Sequence, residues 1–315
     1  MIGPLLLLDM APHAQLQLQA LPVTEGEDEF RVRRARVGAD GRLARDVRAD
    51  LLVQLYDAVL TPAPESPVRV LDAKLRWDRH DWAVLGAGLG KVPFSRSNLT
   101  ASHDLQLPER PFAVQSSEGG GLVPDRRLGA TIEADLGMVG YQAGFFRCAE
   151  GHSADEREGY LAAARLELFP IGPLGRSESA LDRGDPWFDW PRLMLGGSVT
   201  FQDRGQADRL AGEGDLWFKF RGLSLGGEVL AGRAAVADEP ARDRLAAYGQ
   251  AGLFVVPDRV EIAGRFDWTD AGVRAATGGA SLFLWQGRVK IQASHTHGDT
   301  PRGEDETILM VGLQL

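Results

Sequence analysis

The chain has 315 residues, of which 44% are apolar and 25% are charged, so it is neither disordered nor fibrous. The net charge of −9 argues against a general nucleic-acid binder, which carries an excess of basic residues. A single cysteine, Cys148, excludes an internal disulfide and a metal site of the Cys-x-x-Cys type. No apolar run approaches the roughly 18 residues of a membrane helix. These features leave soluble proteins and membrane barrels as the open classes.

The N-terminal residues resemble part of a secretion signal. Residues 1–8 read MIGPLLLL, but a positively charged start is missing and Pro12 stands where cleavage requires a small residue. We expect residues 1–14 to be a truncated leader and residues 15–315 to form the folded domain. The alternative, that the leader residues belong to the folded domain, stays open.

Alternation of apolar and polar residues dominates the rest of the chain. Every second residue is apolar from Val47 to Leu55, from Leu128 to Leu136 and from Tyr160 to Leu168, with charged residues between them. A period of two places one set of side chains on each face of a β-strand. Helical spacing is absent from every long segment, and residues 95–106 are the best helical candidate.

This alternation predicts about sixteen strands, most of them with the roughly 9–11 residues that a tilted strand needs to cross a bilayer. The predicted strands are 15–21, 30–37, 43–56, 67–77, 81–90, 126–136, 139–148, 159–169, 191–202, 211–221, 223–233, 244–255, 260–268, 274–284, 288–297 and 306–315.

The connections between these strands alternate in length. Long polar connections, such as 91–125, follow the odd strands, and tight turns, such as 38–42 and 221–222, follow the even ones. Antiparallel barrels of the outer membrane have this arrangement, with short periplasmic turns and longer outside loops. Residues 170–190 break the rule. An extra element in that connection and an error in the strand count are both open explanations.

A soluble sandwich or solenoid would also alternate, but two features favour the membrane. The apolar face carries almost no charge, and aromatic residues gather at strand ends, as in interfacial girdles. We therefore predict an all-β protein, an antiparallel transmembrane β-barrel. The aromatic residues are Trp77, Trp82, Phe169, Trp190, Phe201, Phe220, Trp268 and Trp285. The residues predicted to face lipid are Leu51, Val53, Ile132, Leu166, Val199, Phe218, Ile262 and Ile291.

Two segments resemble a known family. Residues 30–38, FRVRRARVG, resemble the first hairpin of the phosphate-selective porins of the O and P type. Residues 90–95, GKVPFS, followed by 98–100 and 107–110, look like the segment that enters the long inward-folded loop of that family. The resemblance implies a sixteen-stranded barrel of the outer membrane of a Gram-negative bacterium. It also implies a homotrimer whose lumen arginines and lysines guide anions.

The loop at 91–125 is accordingly expected to fold into the lumen and to narrow it. Its polar candidates for the constriction are Lys91, Arg96, His103, Asp104, Glu109 and Arg110. The alternation also directs a set of basic side chains toward the lumen, where rings of one charge sign set ion preference. These predicted pore-lining residues are Arg33, Arg48, Arg165, Lys219, Arg221, Arg265, Arg288 and Lys290.

The sequence therefore predicts a porin for passive diffusion of small hydrophilic solutes, with a weak preference for phosphate-like anions. We expect the protein to contact membrane lipid and to bind small anions or other hydrophilic solutes, and we expect no nucleic-acid partner. No serine stands at a catalytic spacing from a histidine, and His295 and His297 are a two-residue pair on a polar face, so we expect no enzyme, cofactor or metal. The alternative is a plugged, non-conducting barrel that acts as an anchor or sheath for a partner protein.

Overall fold

A computed structural model describes residues 10–21, 29–57, 68–115, 122–148, 159–181, 184–186, 188–203, 207–236, 242–300 and 303–315. These ranges contain sixteen strands. The strands are β1 Met10–Leu21, β2 Glu29–Ala44, β3 Val47–Asp57, β4 Arg69–His80, β5 Ala83–Lys91, β6 Arg126–Asp135, β7 Val139–Arg147, β8 Tyr160–Ile171, β9 Arg192–Asp203, β10 Ala207–Phe220, β11 Leu223–Val236, β12 Arg242–Val256, β13 Val260–Thr269, β14 Arg274–Leu284, β15 Val289–Thr300 and β16 Gly303–Gln314.

Each strand pairs antiparallel with its neighbours in sequence, and the pairing of β1 with β16 closes the sheet. Leu16 lies opposite Leu313 in that closing pair. The predicted all-β antiparallel barrel of about sixteen strands is therefore confirmed. None of the helices in the described ranges is long and apolar enough to cross a membrane.

The two faces of the sheet differ in the way that the alternation predicts. The outer face is aliphatic, and its exposed members include Leu51, Leu166, Val199, Ile262 and Ile291. Val53, Ile132 and Phe218 are half-buried on the same face. Phe169 is an exception among the predicted girdle residues, because it packs inward with Leu174, Met194 and Trp217. The alternation of β8 is the reason, because Leu168 next to it is exposed on the outer face.

Two predicted boundaries at the N-terminal end differ from the structure. Residues 10–14 pair with β2 and so belong to the barrel, whereas residues 1–9 of the predicted leader lie outside the described residues. The turn expected at 38–42 lies instead at Arg45 and Asp46. The sheet register continues through Gly38 and Gly41, because cross-strand pairing to both neighbours outweighs the turn propensity of glycine.

A β-bulge in β2 redirects two consecutive arginines. Gln17 lies opposite Arg34 while Leu18 lies opposite Val32, so that Arg33 is an extra residue in the pairing. Both Arg33 and Arg34 are consequently buried, although neighbours in a regular strand point to opposite faces.

The aliphatic outer face predicts a depth-dependent cost of charge. Val199 lies in the middle of β9, and Val255 lies one residue from the end of β12. We expect Val199→Arg to lower the free energy of unfolding by about 2–4 kcal/mol and Val255→Arg by about 0–1 kcal/mol. Denaturant unfolding in lipid vesicles measures both, and equal costs at the two positions would contradict the assignment of the lipid face.

Candidate functional site

The connection between β5 and β6 holds a short helix, α1 Arg96–Leu99, and a 3₁₀ turn at Phe112–Val114. The helix begins at Ser95, whose hydroxyl accepts from the amide of Asn98 at 3.2 Å. Lys91 Nζ donates to the carbonyls of Asn98, Leu99 and Thr100 at 2.7, 3.1 and 3.2 Å. One lysine thus satisfies the carbonyls that the end of a helix leaves without partners.

Arg110 supports the same helix end. Its guanidinium donates to the carbonyl of Ser97 and, at 2.7 Å, to that of Thr100. Arg96 lies on the other side of the helix, where Nη2 donates to the carbonyl of Gly175 at 2.5 Å and the guanidinium lies 5.4 Å from the ring centre of Trp217. Burial, followed by the charge of Arg176, lowers the pKa of Arg96 to about 10, which leaves the group charged at neutral pH.

A buried carboxylate on β11 binds the start of the helix. Glu228 accepts from the amide of Ser97 at 2.5 Å, from the hydroxyl of Ser95 at 2.6 Å and from the hydroxyl of Tyr248 on β12 at 2.8 Å. Three donors on one carboxylate compensate for its loss of water. The helix is therefore fixed to this side of the sheet.

Gln106 makes the next attachment to the same wall. Its amide nitrogen donates at 2.7 Å to both Ser224 on β11 and Glu261 on β13. The main-chain carbonyl of Gln106 accepts from the side chain of Gln292 on β15 at 3.0 Å. The neighbouring carbonyl of Leu105 accepts from Lys290, also on β15.

The third attachment reaches the far side of the sheet. Glu109 forms a two-point ion pair with Arg33 on β2, at 2.7 and 3.0 Å. The carbonyl of Glu109 accepts at 2.9 Å from Arg265 on β13, which also pairs with Asp267 at 2.7 Å. In a ring of sixteen strands β2 is nearly opposite β10 and β11, so contacts from this one segment reach both sides of the barrel.

Residues 102–104 lie near the exposed part of the inner face. Ser102 accepts from Gln15 at 2.9 Å and from Arg36 at 3.5 Å. His103 pairs with Asp104 at 3.2 Å, and both side chains remain about 30% exposed. Both side chains of this pair are therefore in contact with water, and the predicted constriction residues Lys91 and Arg110 are half-buried as well.

A sequence profile of the family Phosphate-selective porin O and P matches residues 12–240, which is more than half of the chain. The chain belongs to this porin family. Membership assigns it to the outer membrane of Gram-negative bacteria, and the family and fold are those of a channel. The predicted family and location are confirmed. No curated protein matches the sequence.

Solved porin structures share the fold at low sequence identity. OmpF of Salmonella typhi, in complex with daunomycin, superimposes with a TM-score of 0.67 and 9% identity over 97% of each chain. The anion-selective porin from Comamonas acidovorans gives 0.64 and 11% over 97% of this chain and 98% of that one. OmpT of Vibrio cholerae, in a trimer form, gives 0.63 and 10% over 98% and 99%.

A buried ionic cluster of this porin surrounds Arg165 on β8. Its guanidinium contacts Glu167 at 2.9 Å, Glu213 at 3.0 Å and Asp215 at 2.8 Å. The side chains of Arg165, Glu213 and Asp215 are 0% exposed. Arg165 is thus enclosed by carboxylates and does not present its charge to water.

The other predicted pore-lining residues differ in their exposure and in their position on the barrel. Lys219 is buried and donates to the carbonyls of Ser177 and Ser179, whereas Arg48 is half exposed and pairs with Asp78 at 2.8 Å. Arg221 and Arg288 do not lie on the barrel wall, contrary to the prediction. Both are exposed in short turns, because β10 ends at Phe220 and β15 begins at Val289.

Sequence reasoning missed the ionic row on the wall of β3, β4 and β6. Arg76 donates to Asp50 at 3.0 Å and lies 3.5 Å from Glu133, which is 3.9 Å from Lys74. These four side chains retain 20–32% exposure. A signal was present, since charges alternate at Asp72, Lys74, Arg76 and Asp78 along β4. Gly86 on β5 leaves the room, because a Cβ there would collide with Lys74.

The burial of Arg165 predicts a large effect on stability. We expect Arg165→Met to lower the free energy of unfolding by about 3–5 kcal/mol, because Glu213 and Asp215 would stay buried without their cation. Arg48→Met is the matched control, and its exposed single pair predicts a loss of about 0–1 kcal/mol. Denaturant unfolding in vesicles compares the two, and equal losses would refute the structural role of Arg165.

Proposed function

We propose that the barrel admits small hydrophilic solutes by passive diffusion, with a weak preference for phosphate-like anions. The observation that carries this proposal is the uneven exposure of the inner face. Four charged side chains on β3, β4 and β6 keep a fifth to a third of their surface in contact with water: Asp50, Lys74, Arg76 and Glu133. In the cluster around Arg165, by contrast, Arg165, Glu213 and Asp215 keep none, and Glu167 keeps 13%. A sixteen-stranded sheet encloses an aqueous channel unless something fills it, so the exposed wall indicates where solute passes.

We propose further that the loop at 91–125 folds into the lumen and forms its narrowest point. Support comes from its attachments to Glu228 and Arg33 on opposite sides of the ring. Lys91 and Arg110 hold the helix end, while His103 and Asp104 form an ion pair that keeps about 30% of each side chain exposed. Three consecutive glycines at 119–121 predict a hinge for this loop, and they lie outside the described residues.

The anion preference is proposed to be weak because cations and acids alternate along the exposed wall. Arg76 and Lys74 each lie within 4 Å of a carboxylate. Arg36 adds a guanidinium that donates to the neutral amide of Gln54 at 3.1 and 3.2 Å. A charge more than a Debye length of about 8 Å from this wall is largely screened at physiological salt. The wall therefore decides the ion preference.

We propose a homotrimer as the assembled form. The support is the similarity in fold to OmpT of Vibrio cholerae, whose structure is of a trimer form. Membrane lipid is the expected environment of the aliphatic outer face.

A non-conducting barrel that anchors or sheathes a partner protein is the second candidate. The observation that favours it is the dense filling along β9 to β15, where Glu228, Glu261 and Lys290 are all consumed by contacts to connecting segments. A barrel filled on all sides would carry no current, so conductance separates the two candidates.

Single-channel recording in a salt gradient tests the proposed function. We expect a conducting wild type with a reversal potential that indicates weak anion preference. Arg76→Gln should shift that potential toward cations, because it removes a partly exposed positive charge from the wall. Arg221→Gln removes the same charge from an exposed turn and should leave the potential unchanged. A clearly cation-selective wild type, or equal shifts in the two variants, would contradict the proposal.

Deletion of residues 98–118 tests the role of the loop. The expected result is a higher conductance, because the segment that narrows the lumen is removed. Altered electrophoretic mobility on heating, typical of folded barrels, checks that the deletion variant has folded. A folded variant with wild-type conductance would show that the constriction lies elsewhere.

A further inference from the structure

The connection between β8 and β9 is unusually long for the short-turn end of the barrel, at residues 172–191. Within it, residues 174–180 form a stretch that we call the turn-side segment. Leu174, Glu178, Ser179 and Ala180 are all at most 5% exposed. Gly175 is exposed and residues 176–177 are half-buried. A segment at the rim of a barrel would be solvated throughout, so the buried residues of this one are covered by other parts of the protein.

The turn-side segment bonds directly to the loop that comes from the opposite end of the barrel. The amide of Glu178 donates to the carbonyl of Asp104 at 2.9 Å, and Thr100 Oγ1 donates to the carbonyl of Arg176 at 3.2 Å. Arg96 donates to the carbonyl of Gly175 at 2.5 Å. The two connections are therefore joined by one hydrogen bond between main-chain groups and by two from loop side chains to carbonyls of the turn-side segment.

The side chain of Glu178 lies at the centre of this junction. Its carboxylate accepts from the amide of Gln106 at 2.9 Å, from the side chain of Gln250 on β12 at 3.0 Å and from Ser97 Oγ at 3.5 Å. Ser179 next to it donates to Glu261 on β13 at 2.7 Å. Loop, turn-side segment and wall are thus held by one buried acid and its neighbour.

The wall contributes a cation to the same junction. Lys219 on β10 donates to the carbonyls of Ser177 and Ser179, on both sides of Glu178. Leu174 packs in a buried cluster with Phe169, Met194 and Trp217. The polar and apolar contacts together fix the turn-side segment along its whole length.

We propose that the turn-side segment is a second, fixed barrier that closes the β9–β13 side of the lumen and confines solute to the wall of β3, β4 and β6. This inference rests on the proposed function, since it assigns the route through the same channel. The opposed exposures of the two walls agree with it. Asp215 and Asp267 on β10 and β13 are 0% exposed, whereas Asp50 and Arg76 keep 26% and 32%.

The architecture allows the barrier to be removed without breaking the sheet. Ile171 at the end of β8 lies opposite Leu193 on β9, so a short turn can join the two strands, as Arg221 and Gly222 join β10 to β11. The test replaces residues 173–190 by a two-residue Asn-Gly turn and records single-channel conductance in potassium chloride. We expect a rise of about twofold or more, because a closed half of a sixteen-stranded channel would be opened.

Two point variants accompany the shortened barrel. Glu178→Ala removes the acceptor at the centre of the junction and should also raise the conductance, or add open states of higher conductance. Asp189→Ala is the control within the same connection, because its side chain is 72% exposed and its removal should change nothing.

The outcomes separate this proposal from the proposed function. A shortened barrel that folds and has wild-type conductance would overturn the proposed barrier. If the shortened barrel fails to fold, wild-type conductance of the Glu178→Ala channel would overturn it. A silent wild type beside a conducting shortened barrel would contradict passive diffusion in the native protein and support the barrier. If the wild type and all variants conduct, and the conductance rises only in the shortened barrel and in Glu178→Ala, the result supports both the barrier and the proposed function.

Discussion

Closure of the sheet by the pairing of β1 with β16 is the constraint on which the rest of the molecule depends. In a bilayer no water satisfies a free strand edge, so the sheet must return to its first strand. In the closed sheet, successive side chains of a strand point alternately to the outer face, toward lipid, and to the inner face, toward the lumen. Leu16 and Leu313 occupy the outer face of the closing pair, and the glutamines beside them point inward.

The cations inside this barrel have two kinds of acceptor, main-chain carbonyls of the connecting segments and carboxylates. Lys91, Lys219 and Lys290 donate to main-chain carbonyls of connecting segments, as do Arg96 and Arg110. Lys74 lies 3.9 Å from the carboxylate of Glu133 on the wall. An ammonium group has three donors that rotate to suit several carbonyls, whereas the planar guanidinium suits carboxylates. Arg33 follows that preference with its two bonds to Glu109.

Local pattern was sufficient for the architecture but not for the site. The strand count, the lipid face and the family follow from alternation and two short segments. The tight turn at Arg45 and Asp46 was missed because glycines at 38 and 41 resemble a turn while pairing as strand. The bond between Ser95 and Glu228 joins residues 133 apart in the chain, and no local period encodes such a contact.

The same limitation explains why residue type misled the choice of pore-lining cations. A charge influences a permeating ion only where water or the ion itself can approach it, since burial with carboxylates cancels its field at short range. Arg165 has the right type and the right face, yet three carboxylates surround it. Arg76 has fewer partners and more exposed surface. Exposure after the connecting segments have packed, rather than position on a strand, therefore distinguishes the buried charges that hold this barrel together from the charges that stay in contact with water.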